Sequence, residues 1–551
     1  MGRALHYPDS RGHRSLRGLA RTALVAFGVA LVLGASLYHW RAVPQYPLPR
    51  SPSPAIAPAR GAAAGPLRVL ATNPRYFTDG SGRAVLLVGD HTWANLQDNG
   101  FGDPPPAFDY DAYLQFLVAH NINFFRLWVW EQARWASWVS DDGYFFNPGP
   151  PYRRTGPGLA LDGKPRFDLD QLDDAYFARL RARVQAAGRV GIYVSIMLFN
   201  GWCIDDGHGK LHRGNPWRGH PFNRDNNVNG VDGDANRNGS GEETQQLLVP
   251  AVTAYQEAYV RRVLETVADL DNVLFEISNE SYASSRDWQY HMIDFIHRFE
   301  ASRPKQHPVG MTQYEWPGSN AELLSGPADW ISPWPELPAY PYRTDPPDLR
   351  GAKVVIVDTD HLWGIGGDRK WAWKTFMRGN HPSFMDAYDG EAIGVGSPPT
   401  WDVRRQPARE LIKQMLHRRP HSEWNPDAPQ WTSLRANLGY IRAFAERIDL
   451  AHAVPDRAAA STGFALVHAG AGKNEFLVYA EDSRAPVEVD LSHARGVFVQ
   501  EWFDPASGRT VRASPVNGGA RRALQSPFAE DAVLYLYALQ GEPSDSSEDV
   551  R

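Results

Sequence analysis

The sequence predicts an α/β fold: a (β/α)8 TIM barrel, followed by a small all-β sandwich and preceded by a transmembrane helix. Three observations predict it. Short apolar runs alternate with helical patterns across residues 67–455. Closely spaced strands separated by Gly, Asp, Ser and Pro then fill residues 456–540. An uncharged stretch, Thr22 to Tyr38, follows a cluster of arginines. A chain of 551 residues is also too long for one core.

At the start, Arg3, Arg11, Arg14, Arg17 and Arg21 mark residues 1–21 as a basic segment expected in the cytoplasm. Residues 22–40 follow as an uncleaved anchor, because the apolar run is long for a signal core and Tyr38, His39 and Trp40 are bulky. The alternative is a signal peptide cleaved after the small residues "GAS" at 34–36. Either way the remainder is expected outside the cytoplasm, in the periplasm or the extracellular space. Residues 41–66, with Pro44, Pro47, Pro49, Pro52, Pro54 and Pro58, read as an extended tether.

Eight strands follow from residue 67. They are "AVLLVGD" (84–90), "NFFRLWVW" (123–130), "GIYVSIML" (191–198), "NVLFEI" (272–277), "HPVGMT" (307–312), "DWIS" (329–332), "KVVIVD" (353–358) and "SFMDAY" (383–388). Between them, Asp109 caps one helix, Leu172, Tyr176, Leu180 and Val184 line a second, and Pro250 opens a third. Ser284 or Ser285 is expected to cap a fourth, and 368–379 reads as another. A doubly wound open sheet is the rival, but no glycine-rich phosphate loop follows an early strand. The strands of the last domain are "GFALVHA", "EFLVYAE", "VEVDL", "VFVQEWFDP" and "AVLYLYAL", and the tail 541–551 reads as disordered.

A formal charge of −6 gives no sign of a nucleic-acid partner. The lone Cys203 excludes an internal disulfide. The oligomeric state is not legible.

Barrel active sites lie at the carboxyl ends of the strands, and several strands here end on polar groups. The fourth runs into Asn279 and Glu280, the seventh into Asp358, Asp360, His361 and Trp363. Glycoside hydrolysis needs two carboxyl groups, one protonated to serve the leaving oxygen, one ionised to attack the anomeric carbon. Glu280 is the expected acid/base; Asp360 or Asp358 is the expected nucleophile. The other strand ends supply a sugar pocket: Asp90, His91 and Trp93; Arg126, Trp128 and Trp130; Asn200 and Trp202; Tyr314 and Trp316. Arg126 interrupts an apolar strand and needs a buried partner, either a catalytic carboxylate or a structural one.

On these residues the chain resembles a known group. "NVLFEISNE" looks like the fourth-strand signature of the glycoside hydrolase clan that includes family 5 cellulases, where Asn-Glu supplies the acid/base. "RYFTDGSGRAVLLVGDHTW", "FNRDNNVNG" and "EFLVYAEDSRAPVEVDL" with "VQEWFDPASG" resemble apiosidase-like barrels followed by a β domain that carries a collagen-binding label. The resemblance spans about residues 67–540. It implies a retaining glycosidase, with a seventh-strand glutamate as nucleophile; here that place falls on Asp360.

Residues 223–243 form an asparagine-rich loop. Asp234, Asn236, Asn238 and Gly239 match the first half of a calcium loop, and Asp232 and Glu242 add carboxylates. The twelfth position is Gln245 rather than Glu, and Asn, Asp and Gly also favour ordinary turns. No cofactor beyond a structural calcium is expected. The functional expectation is an exported, membrane-anchored glycoside hydrolase acting on a polysaccharide or glycoconjugate. The competing one is a non-catalytic carbohydrate- or matrix-binding protein on the same scaffold. A metal hydrolase using Asp90, His91 and His361 ranks last.

Overall fold

The computed structural model describes residues 62–100, 102–135, 144–204, 215–312, 319–334, 341–388, 426–470 and 473–538. The predicted anchor at 22–40, its basic flank and the tail from 541 lie outside these. Among the described residues no helix is long and apolar enough to cross a membrane.

Eight parallel strands close into a barrel in chain order: β1 (Gly89–His91), β2 (Phe124–Leu127), β3 (Tyr193–Asn200), β4 (Val273–Asn279), β5 (Val309–Thr312), β6 (Trp330–Ser332), β7 (Val354–Asp358) and β8 (His381–Met385). All eight overlap the predicted runs, although the third continues two residues past its run, to Asn200, and the eighth begins two residues before its run, at His381. The first ladder is shorter than its run, since Val85 bridges antiparallel to Phe77 before β1 begins.

Helices α1 (Tyr110–Ala119), α2 (Asp174–Arg189), α3 (Pro250–Val267), α4 (Arg286–Glu300), α5 (Asn320–Ser325), α6 (Asp360–Trp363), α7 (Arg369–Met377) and α8 (Pro429–Arg447) follow their strands. Asp109 caps α1 by accepting the Ala112 N–H at 2.9 Å, and Pro250 opens α3. Ser285 occupies the cap position of α4 but makes no side-chain cap bond; its hydroxyl accepts from Gln289 Nε2 at 2.9 Å instead. The tether ends earlier than expected. The Ala63 N–H donates to Gly188 O and Tyr193 OH to Ala64 O, which fixes residues before Leu67 to the barrel's base.

Side chains alternate across each strand, and this sets the barrel's interior. Phe124, Leu274 and Ile356 form a dry lower layer with Trp330. Two residues on, the same strands present Arg126, Glu276 and Asp358, all buried.

The second domain is an antiparallel sheet of β9 (Val454–Pro455), β10 (Ala465–Gly470), β11 (Lys473–Ala480), β16 (Ala532–Ala538), β13 (Val497–Phe503) and β14 (Thr510–Asn517), in that spatial order. A two-stranded sheet of β12 (Val487–Asp490) and β15 (Arg521–Leu524) covers one face. Phe476, Val478, Leu534 and Leu536 face that pair. Leu477, Tyr479, Val533 and Tyr535 face the barrel and join its core. Tyr479 stacks on Trp373 of α7 with centroids 6.1 Å apart, and Arg369 of α7 pairs with buried Asp531 at 2.7 Å.

Candidate active site

Glu280 follows β4 directly, and its backbone is left-handed at φ 47°. A non-glycine residue in that region is strained and persists only where its surroundings hold it. Gly201, at the end of β3, permits the arrangement: a Cβ there would collide with the Glu280 carbonyl. Asp360 lies in the first turn of α6, two residues past β7. Ligating atoms of Glu280, Asp360 and His361 lie within 4.8 Å of one another. Glu280 is 7% exposed and the Asp360 side chain also 7%, so both sit in a largely desolvated place.

Beneath them lies Arg126. It donates from Nε to Glu276 Oε2 at 2.9 Å and from Nη2 to Glu276 Oε1 at 2.5 Å, a bidentate pair. Nη2 also reaches Asn279 Oδ1 at 2.5 Å. Nη1 reaches Asp358 Oδ2 at 3.3 Å and Asp360 Oδ2 at 3.4 Å. Burial works against the guanidinium charge, but the Glu276 and Asp358 carboxylates more than restore it.

The two aspartates at the end of β7 differ sharply. Asp358 is spent on the protein: it accepts from His91 Nε2 at 3.0 Å, Ser383 Oγ at 3.0 Å and the Asp360 N–H at 2.9 Å. Burial alone would raise its pKa, yet His91 and Arg126 hold it well below the usual range. Burial pushes Asp360 up to about 6; Arg126 opposes the rise and Asp358 adds to it. His361 is pushed down to about 3 by burial and by Arg126. The neutral ring then donates from Nε2 to Asn279 Oδ1 at 3.3 Å and accepts at Nδ1 from Ser332 Oγ at 2.9 Å.

Other expected pocket residues divide. His91 faces the site and stacks on Trp128, with centroids 5.5 Å apart. Trp128 and Trp130 are 2% and 1% exposed, which makes them packing, whereas Trp93, Trp202 and Trp363 are half-buried. Asn200 is buried; its amide caps the turn at Trp202 and donates to Val129 O at 3.2 Å. Asp90 does not belong to the site. It points outward from β1, where burial and neighbouring Asp386 raise its pKa well above the usual range against the pull of Arg435. The Asp90–His91–His361 metal triad is therefore not assembled. Tyr314 and Trp316 lie outside the described residues.

Glu276 was not anticipated, although a charged residue inside the apolar run "VLFEIS" was the available signal. Three buried polar atoms around Arg126 have no hydrogen-bond partner among the described residues: Asn279 Nδ2, His91 Nδ1 and Trp128 Nε1. Buried polar atoms are rarely left so.

The fold and this rim together define a (β/α)8 barrel with a paired-carboxylate site. Solved structures share that fold. A family 5 glycoside hydrolase from Bacteroides vulgatus matches with a TM-score of 0.51 at 13% identity, covering 86% of this chain and 94% of its own. A second structure, described as a glycoside hydrolase, matches with a TM-score of 0.53 at 13% identity, covering 87% and 98%. Residues 142–315 match a family model described as a domain of unknown function, DUF6298. No curated protein matches the chain.

Proposed function

We propose that this chain is a retaining glycoside hydrolase acting on a polysaccharide or glycoconjugate, with Glu280 as general acid/base and Asp360 as nucleophile. The observation that carries this reading is the approach of the two carboxyl groups to within 4.8 Å at the ends of β4 and β7. Retaining pairs stand about 5–5.5 Å apart, whereas inverting pairs need about 6.5–9.5 Å to admit a water. Asp360 is one carbon shorter than the glutamate the family resemblance implies. Its place in the first turn of α6, beyond the strand end, makes up the reach.

In the first step Glu280 gives its proton to the glycosidic oxygen while an Asp360 oxygen bonds to the anomeric carbon and the glycosidic bond breaks. In the second, Glu280 takes a proton from water, and that water displaces Asp360. Arg126 Nη1, at 3.4 Å, favours the ionised nucleophile. Asp358 is the anchor that aims the Asp360 backbone. The free Asn279 amide hydrogen suits a sugar hydroxyl, and half-buried Trp93, Trp202 and Trp363 suit the apolar face of a sugar ring.

The finer reading is an apiosidase-like enzyme, held to a membrane by residues 22–40 with its barrel outside the cytoplasm; the quoted motifs and the uncharged run support it. A panel of aryl glycosides and polysaccharides tests the activity. Glu280→Gln and Asp360→Asn should each abolish turnover while the circular dichroism spectrum stays unchanged. A 2-fluoro glycoside should leave a covalent adduct on Asp360, seen by peptide mass spectrometry. Full turnover in either variant removes that residue from the mechanism. Polysaccharide binding without turnover makes the chain a binding protein instead.

A further inference from the structure

The geometry points to a calcium site in the asparagine-rich loop, built from Asp234, Asn236, Asn238 and Glu243. Its carboxylate from the following turn comes two residues earlier than the sequence pattern suggests.

The loop curls round Asp234, whose Oδ1 accepts the Asn238 N–H at 2.9 Å and whose Oδ2 accepts the Gly239 N–H at 2.8 Å. Arg237 (φ 58°) and Gly239 (φ 83°) are both left-handed, which tightens the curl. Such a curl by itself is only a turn. The separate observation is Glu243, in the 3-10 turn Glu242–Gln245. It is 5% exposed, and its Oε2 has no hydrogen-bond partner among the described residues. Its Oε1 contacts Asn236 Nδ2, which places the carboxylate against the loop. Among the described residues no Lys or Arg forms an ion pair with Asp232, Asp234, Glu242 or Glu243. A buried carboxylate oxygen without a donor, among like charges, is costly until a cation joins it. The donors are all oxygens on adaptable side chains, the set that calcium takes in preference to softer ions.

Gln245, at the twelfth position of the pattern, ties the loop to the barrel: its Nε2 donates to Ser278 Oγ at 3.3 Å, beside Asn279 on β4, while its buried Oε1 has no hydrogen-bond partner among the described residues. The cation would therefore brace a loop that leans on the strand leading into Glu280. The site stands whether or not the chain is a glycosidase, and its test needs no substrate.

The Trp217 ring lies against Gly233 and Gly241 of the loop and would sensitise a lanthanide bound there. Terbium added to the calcium-free full chain should give tryptophan-sensitised emission that calcium displaces and magnesium does not. Asp234→Asn and Glu243→Gln, which keep the side-chain volume, should each lose the emission with circular dichroism unchanged. His452→Ala should keep it, since His452 belongs to a separate cluster with Asp449 and His468. No emission from the parent, or emission that survives both loop variants, overturns the site.

Discussion

Arg126 and Glu276 meet through two parallel hydrogen bonds, at 2.9 and 2.5 Å, in the middle of the barrel. They come from β2 and β4, with β3 between them, so the pair spans the interior rather than one ladder. From this pair Arg126 also reaches Asn279, Asp358 and Asp360 at the rim.

Its removal should be felt as stability. Glu276→Ala leaves Arg126 with weaker contacts to Asp358 and Asp360 and is expected to cost about 3–5 kcal/mol. The urea midpoint should fall accordingly. A loss below about 1 kcal/mol would mean that the two aspartates suffice as partners.

Asp360 should behave oppositely. Its carboxyl, ordinarily near 3.8, titrates at about 6 in the folded chain. The native state thus holds the proton more tightly than the unfolded chain does. The stability this contributes is full below about pH 4 and is lost as pH rises to about 6. Asp360→Asn should therefore gain about 1–3 kcal/mol at neutral pH and nothing in acid, by denaturant titration at both pH values. For the parent, the acid limb of kcat/KM should fall with an apparent pKa near 6, as Asp360 loses its charge.

Gly201→Ala tests whether the strained Glu280 backbone matters. The added methyl meets the Glu280 carbonyl, so the carbonyl must move. We expect a stability loss of about 1–3 kcal/mol and a larger proportional fall in kcat than in KM. An unchanged kcat would show that Glu280 tolerates a shifted backbone.

Asp90→Asn separates the inner from the outer face of β1. Asp90 faces Asp386 and Arg435 behind the sheet, so the isosteric change should leave kcat and KM intact. A substrate-binding Asp90 would instead raise KM.

Much of this was legible in the sequence because parallel barrel strands are buried on both faces and read as apolar runs. Glu280 could be placed because it follows such a run directly. Which face a residue takes was not legible: a shift of one position exchanges Asp90 for His91. Nor could the sequence pair Arg126 with Glu276, since strand order in space decides that contact. β14 and β15 escaped notice because they are largely exposed and carry few apolar residues. α8 also escaped, although Trp431, Leu434, Leu438, Ile441 and Phe444 recur at helical spacing and are buried.

The barrel and the β domain share one hydrophobic core, with Trp373 and Phe444 on one side and Tyr479, Phe503 and Tyr535 on the other. Cutting the gene at the apparent boundary near residue 455 would strip these rings bare and abandon Asp531 without Arg369. A catalytic fragment prepared that way should precipitate. A protease nick at the same place should instead leave both halves clasped together through gel filtration, so the β module is inherited with the barrel as a single working part.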